Sequence, residues 1–211
     1  MSNTNNPTLA EGGRWSTRQL TIMALFVALG VVLGLFQVPI LPMVSFLQLD
    51  LAAAPAIIVG LAFGPVVGCV VGALTYIIQG LMIGEFGGEI INILVVWGMI
   101  IPSALIMKSY RRISAKSDDP TQPKQNKVLR ILFTFIACVI LVSLLGFAWN
   151  MTYTCWLYGI PQQVMLETLI VWIVLFNIIK ATVDVAVSLL VFQVVKPLLI
   201  NEKGKKRSLG N

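Results

Sequence analysis

The sequence predicts an all-α integral membrane protein with six transmembrane helices and both termini in the cytoplasm. Three observations carry that expectation. First, of 211 residues 57% are hydrophobic and 11% charged, and the mean hydropathy is +0.89. Average soluble chains carry roughly 25% charged residues, which excludes a soluble enzyme, a disordered tail or a secreted disulfide scaffold. Second, long apolar segments alternate with polar breaks, and at about 20 residues per span the chain has room for roughly five to seven. Third, every one of the 15 Lys and Arg residues except Lys180 falls in the N-terminal segment, in residues 108–130, or from Lys196 onward. An even number of spans places these three segments on one side, which by the positive-inside rule is the cytoplasm. A five-helix chain would divide them across the bilayer. The opposite loops carry Asp50, Glu85, Glu89 and Glu167 and no Lys or Arg.

Each element follows from local signals. Residues 1–16 form a polar N-terminal tail. An apolar run follows Arg14 and Arg18; it is too long for a cleaved signal peptide and the chain stays hydrophobic behind it, so it is a retained span. This first helix covers about residues 17–38 and is broken by Pro39 and Pro42. Residues 39–52 form a loop ending in Gln48, Leu49 and Asp50. The apolar stretch 51–83 is too long for one span, and Gly64-Pro65 divides it into two short helices. Residues 84–88, Gly-Glu-Phe-Gly-Gly, form a tight turn, and a fourth helix covers about 89–107. Residues 108–130 are a basic cytoplasmic linker. A fifth helix covers about 131–156, a loop turns at Gly159 and Pro161, and a sixth covers about 166–195. The membrane domain is therefore 17–200, followed by a basic tail, 201–211.

The net charge of +6 reads as membrane orientation rather than as a nucleic-acid footprint. The chain has no His, and Cys69, Cys138 and Cys155 are odd in number and widely spaced, so they read as small core residues, with no metal site and no cofactor expected. No GxxxxGK[ST] loop is present, so the chain carries no ATPase of its own. Gly204-Lys205-Lys206-Arg207-Ser208 lacks the first glycine and the strand, and is a solvated tail. No nucleophile–base pair presents itself. Inverted repeats of a secondary carrier are not visible either.

Lys180 is the one basic residue deep in a span. Asn177 and Asp184 lie one turn away on the same helix face. Charge at membrane depth is costly and faces a cavity or a partner, so this face is either a ligand-binding surface or a neutralised Lys180–Asp184 pair holding helices together. Asn150 offers donors and an acceptor within the fifth helix. Nearby Tyr153, Trp156 and Tyr158 are candidates either for stacking on a flat ring or for an interfacial aromatic belt. Ala24 and Ala28 form an AxxxA pattern that permits close helix approach, inside the bundle or against a partner.

Several segments taken in order resemble the substrate-binding S components of energy-coupling-factor vitamin transporters, most closely the riboflavin branch. They are Leu49-Asp50, Pro55-Ala56-Ile57-Ile58, Phe63-Gly64-Pro65-Val66-Val67-Gly68, Tyr76-Ile77-Ile78-Gln79-Gly80, the turn leading to Asn92, and Phe176-Asn177-Ile178-Ile179-Lys180. The chain departs from the family pattern at Leu51-Ala52-Ala53-Ala54 and Gly72-Ala73-Leu74-Thr75, which lack the usual polar residues.

The resemblance implies six helices in the bacterial cytoplasmic membrane and a vitamin held near the outer face. It implies partners, a scaffold transmembrane subunit and two ATPase subunits, and no enzymatic activity on this chain. Ala24 and Ala28 would dock on the scaffold. Asn150, Asn177 and Lys180 would contact the flavin, with Asp50, Gln79 and Asn92 as further ligand-binding candidates, and residues 39–52 would close the pocket. Riboflavin enters as transported substrate, not as cofactor. The alternatives are an S component for pantothenate or a pyrimidine, an intramembrane enzyme using Lys180 and Asp184, and a stand-alone secondary carrier.

Overall fold

The computed structural model describes residues 15–42, 47–84, 86–116 and 127–199. Residues 43–46, Glu85 and the rest of the two tails and of the linker lie outside the described residues. Helix α1, Thr17–Gly34, starts at a capping box: Ser16 Oγ accepts the Gln19 N–H at 3.2 Å, and Gln19 Oε1 accepts the Ser16 N–H at 3.3 Å. It ends four residues before the expected Val38. A residue preceding proline is pushed out of the helical region, so Val38 is extended ahead of Pro39. The short strands β1, Val38–Pro39, and β2, Gln48–Leu49, pair antiparallel, with Val38 opposite Leu49. The two ends of the loop expected over 39–52 are thus paired with each other as a short two-stranded ribbon.

Helices α2, Ala53–Phe63, and α3, Pro65–Ile83, divide where the sequence predicts. Gly64 has φ 108°, a value open mainly to glycine, and Pro65 starts the next helix. The two helices touch backbone to backbone: a Cβ on Gly68 would lie 2.6 Å from the Gly60 Cα. Residues 53–62 are buried without exception, so α2 is a core helix enclosed by the others. With 11 residues it rises about 16 Å, half a bilayer core.

Helix α4, Phe86–Lys116, runs nine residues past the expected end at Met107. Residues 108–116 hold no Gly or Pro and are rich in helix-forming Lys, Arg and Ala, so the helix continues beyond the apolar stretch and shortens the linker to 117–126.

Helix α5, Lys127–Trp149, passes into a π-helical turn at Asn150–Thr154 and then into α6, Cys155–Tyr158. Gly159 and Pro161 turn the chain, as expected. The last rod begins earlier than Leu166, with α7, Gln162–Val164, a π-helical turn at Met165–Leu169, and α8, Ile170–Leu199. Pro161, extended at ψ 135°, stands immediately before its first residue.

Among the described residues five helical segments are long and apolar enough to cross a membrane, and α2 is a shorter apolar helix. Arg18 Nη2 donates to the Leu198 carbonyl at 3.0 Å. The start of α1 and the end of α8 therefore share one end of the bundle. The main core centres on α2, with Met99 and Ile100 of α4, Val142 of α5 and Val185 of α8 around it. A second, smaller cluster of Cys155, Met165 and Ile173 packs against Leu41 and Leu47 of the ribbon loop at the opposite end.

Candidate functional site

A cleft opens at that opposite end, between the start of α4, the α5–α6 rod and the first half of α8, with Leu47 of the loop beside it. Its polar lining is Asn92, Asn150, Thr154, Asn177 and Lys180, and its aromatic lining Trp149, Tyr153 and Phe176. The π-helical turn has a local cause. Asn150 Nδ2 donates to the Gly146 carbonyl at 2.7 Å and Thr152 Oγ1 to the Ala148 carbonyl at 2.9 Å. Both acceptors would otherwise serve backbone N–H groups four residues on, and such competition loosens the helical ladder. Widened turns of this kind recur at functional sites.

Asn177 is held in the same way, its Nδ2 donating to the Ile173 carbonyl at 2.9 Å. Each amide thus spends one N–H on its own helix, while its oxygen and second N–H add to the polar capacity of the cleft. Gly146 makes room for this pairing of helices: a Cβ there would collide with the Asn177 side chain. Gly87 likewise leaves space for the Tyr153 ring, which stands 4.8 Å, centroid to centroid, from Trp149.

Lys180 lies at the base of the cleft and is 2% exposed. Its Nζ donates to Asp50 Oδ2 at 2.7 Å, while Asp184 Oδ2 stands at 4.0 Å. The i,i+4 neighbour suggested by spacing is therefore the more distant counter-ion, and the close one comes from the end of the 39–52 loop. Asp50 also accepts the Ala52 N–H at 2.8 Å, which fixes it at the start of α2. Both Asp184 carboxylate oxygens and the Tyr76 hydroxyl are buried without a hydrogen-bond partner among the described residues.

The other residues singled out by sequence separate clearly. Asn92 lines the cleft, and its Nδ2 donates to Glu89 Oε2 at 3.2 Å. Asp50 reaches the cleft only through Lys180. Gln79 lies away from it, with its amide directed at the Gly30 and Val31 carbonyls of α1 at 3.5 and 3.4 Å. Ala24 and Ala28 are exposed on the outer face of α1, whose inner face is Met23, Val27 and Gly30; packing inside the bundle is excluded for them. The aromatics divide: Tyr153 lines the cleft, whereas Trp156 is 76% exposed on the outside of the bundle. Trp149 and Gly146 were not singled out by sequence, although a glycine one turn before a membrane Asn marks a gap beside it. Among the described residues no group of three or more Cys, Asp or Glu side chains converges as a metal site.

Comparison with known proteins accords with this architecture. Residues 18–195 match the family model described as "ECF transporter, substrate-specific component", and the chain belongs to that family of energy-coupling-factor transport components. The chain is 28% identical over 193 residues to the riboflavin transporter FmnP of Bacillus subtilis (strain 168), an alignment covering 88% of this chain and 96% of that protein. Its fold matches a solved structure described as "Structure and mechanism of the S component of a bacterial ECF transporter", with a TM-score of 0.65 and 22% identity over 86% of this chain and 97% of that one. Family and helices together make it a multi-pass protein of the cell membrane, in a family of transport components rather than enzymes.

Proposed function

We propose that this chain binds riboflavin from the outer side of the membrane and passes it to an ATP-driven module made of a scaffold subunit and two ATPases. The observation that carries this reading is the convergence of two half-free amides, Asn150 and Asn177, with Lys180 in a cleft walled by Trp149, Tyr153 and Phe176. A flavin has a flat ring to stack on aromatic faces and a uracil-like edge of alternating donors and acceptors. The kinship with a riboflavin transporter points the same way. Protein purified in detergent should carry a ligand with a flavin absorbance spectrum and the mass of riboflavin. A different co-purifying vitamin, together with no binding of added riboflavin, would sink the reading.

A pyrimidine shares the uracil-like edge and is the second reading. Pantothenate fits less well. Its carboxylate would be the third around Lys180, which already has two within 4.0 Å. An enzyme built on Lys180 and Asp184 is disfavoured because the ammonium is engaged by Asp50.

The proposed orientation is six spans, counting α2 together with the ribbon loop as one, and both termini cytoplasmic. The Arg18–Leu198 contact supports it by bringing the two ends of the bundle together, and the basic residues assign that end to the cytoplasm. In a background without native cysteines, Cys introduced for Ser117 or Ser208 should resist an impermeant thiol reagent in intact cells. Labelling of either from outside would overturn this orientation.

A further inference from the structure

A buried ion pair joins the end of the loop to the last helix. Asp50 divides its carboxylate: Oδ1 accepts the Ala52 N–H at the start of α2, and Oδ2 accepts Lys180 Nζ. Both side chains of the ion pair are 3% exposed. Asp184, one turn further along α8, is fully buried, stands 4.0 Å from the same ammonium, and has no hydrogen bond to either oxygen among the described residues. One ammonium therefore faces two carboxylates with unequal roles. Asp184 balances charge at a distance, whereas Asp50 fixes direction, because a 2.7 Å charge-assisted bond orients its donor.

We propose that Asp50 is a positioning residue for ligand recognition: by holding one N–H of Lys180 it aims the others at the cleft, and it ties the chain entering α2 to the residue that meets the ligand. This rests on the riboflavin reading and adds a role that no direct contact with the ligand requires. Charge compensation follows from the same geometry. With Asp50 in place Lys180 acts as a hydrogen-bond donor without net positive charge, suited to a neutral acceptor such as a ring carbonyl.

The two carboxylates provide the test. Asp50→Asn and Asp184→Asn each remove one of the two negative charges and leave a one-to-one balance with Lys180, so neither strands a buried ion. Riboflavin affinity of the full chain in detergent should fall about tenfold in Asp50→Asn, the cost of one misplaced hydrogen-bond donor. It should stay within about twofold of wild type in Asp184→Asn, where the 2.7 Å bond is kept. Asp50→Glu should recover part of the loss. Equal losses in both variants, or unchanged affinity in Asp50→Asn, would overturn the inference while leaving the riboflavin reading intact.

If wild type binds no riboflavin, the function reading fails instead. The positioning of Lys180 is then decided by its acetylation with acetic anhydride, mapped by mass spectrometry on ligand-free protein. Faster labelling of Lys180 in Asp50→Asn than in Asp184→Asn supports the assignment, and equal labelling overturns it.

Discussion

The two sides of the bundle are built from different chemistry. Around α1, α2 and α3 the packing relies on small residues: the unbroken buried run 53–62, and the Gly60–Gly68 contact that brings two backbones together. Of the buried polar side chains there, Thr75 bonds a carbonyl of its own helix and Gln79 reaches α1 carbonyls over long distances. Around α4, α5 and α8 the same apolar bilayer encloses Asn92, Asn150, Asn177 and Lys180, two π-helical turns and an aromatic wall. Polar groups in a membrane interior are costly unless paired or facing a cavity. On the reading proposed above, that side recognises the ligand, and the outer face of α1 with Ala24 and Ala28 meets a partner helix. The division can be broken at either side.

The largest expected effect is on transport. Replacing both Ala24 and Ala28 with Trp should reduce uptake of labelled riboflavin by cells to background, because bulky rings prevent close helix approach. Both residues point away from the core, so affinity of the isolated protein should stay within about twofold of wild type, as for surface substitutions generally. If binding is lost along with transport while expression stays normal, the two sides are not separable and the alanines serve the bundle itself.

On the other side, Asn150→Leu keeps a similar volume and removes the amide. It should weaken riboflavin binding by about tenfold to a hundredfold in titration calorimetry, the usual cost of an unpaired desolvated group. The stability effect should be small, since the amide's one internal bond goes to its own helix at the Gly146 carbonyl. Unchanged affinity would take the widened turn out of the site.

How much of this could be read in the sequence depended on distance along the chain. The Gly64-Pro65 break is a local event and stands where the pattern places it. Asn177 and Lys180 share a helix face by periodicity alone, and the structure brings them to one cleft with Asn150. What escaped was either non-local or a competition between local rules. Asp50 and Lys180 are 130 residues apart, and no spacing links them. Asp184, four residues away, is the natural partner by periodicity, but the loop end just before α2 delivers Asp50 closer. Pro39 keeps the residue before it, Val38, out of the helix. The long α4 reflects a basic segment that polarity marks as linker and propensity marks as helix. The widened turn in α5 arises because Asn150 and Thr152 side chains capture carbonyls of their own helix, which hydrophobic patterning does not register.

Gln79 supplies the smallest expected effect and the finest test of the division. The family resemblance implies a ligand contact, whereas the structure places its side chain at the α1–α3 seam, 1% exposed and outside the cleft. Its amide lies 3.5 and 3.4 Å from the Gly30 and Val31 carbonyls, longer than the roughly 2.9–3.0 Å of a strong N–H···O bond. Gly34 accommodates it, because a Cβ there would collide with the Gln79 amide. Gln79→Leu conserves most of the volume and deletes donors whose bonds are weak. It should change stability by no more than about 1 kcal/mol, the net worth of an ordinary hydrogen bond. Riboflavin affinity should remain within about twofold of wild type, since the substituted atoms do not face the cleft. A tenfold loss of affinity in a protein of unchanged melting temperature would carry the ligand site across the bundle to α3, and the separation into a recognition side and a packing side would fail there.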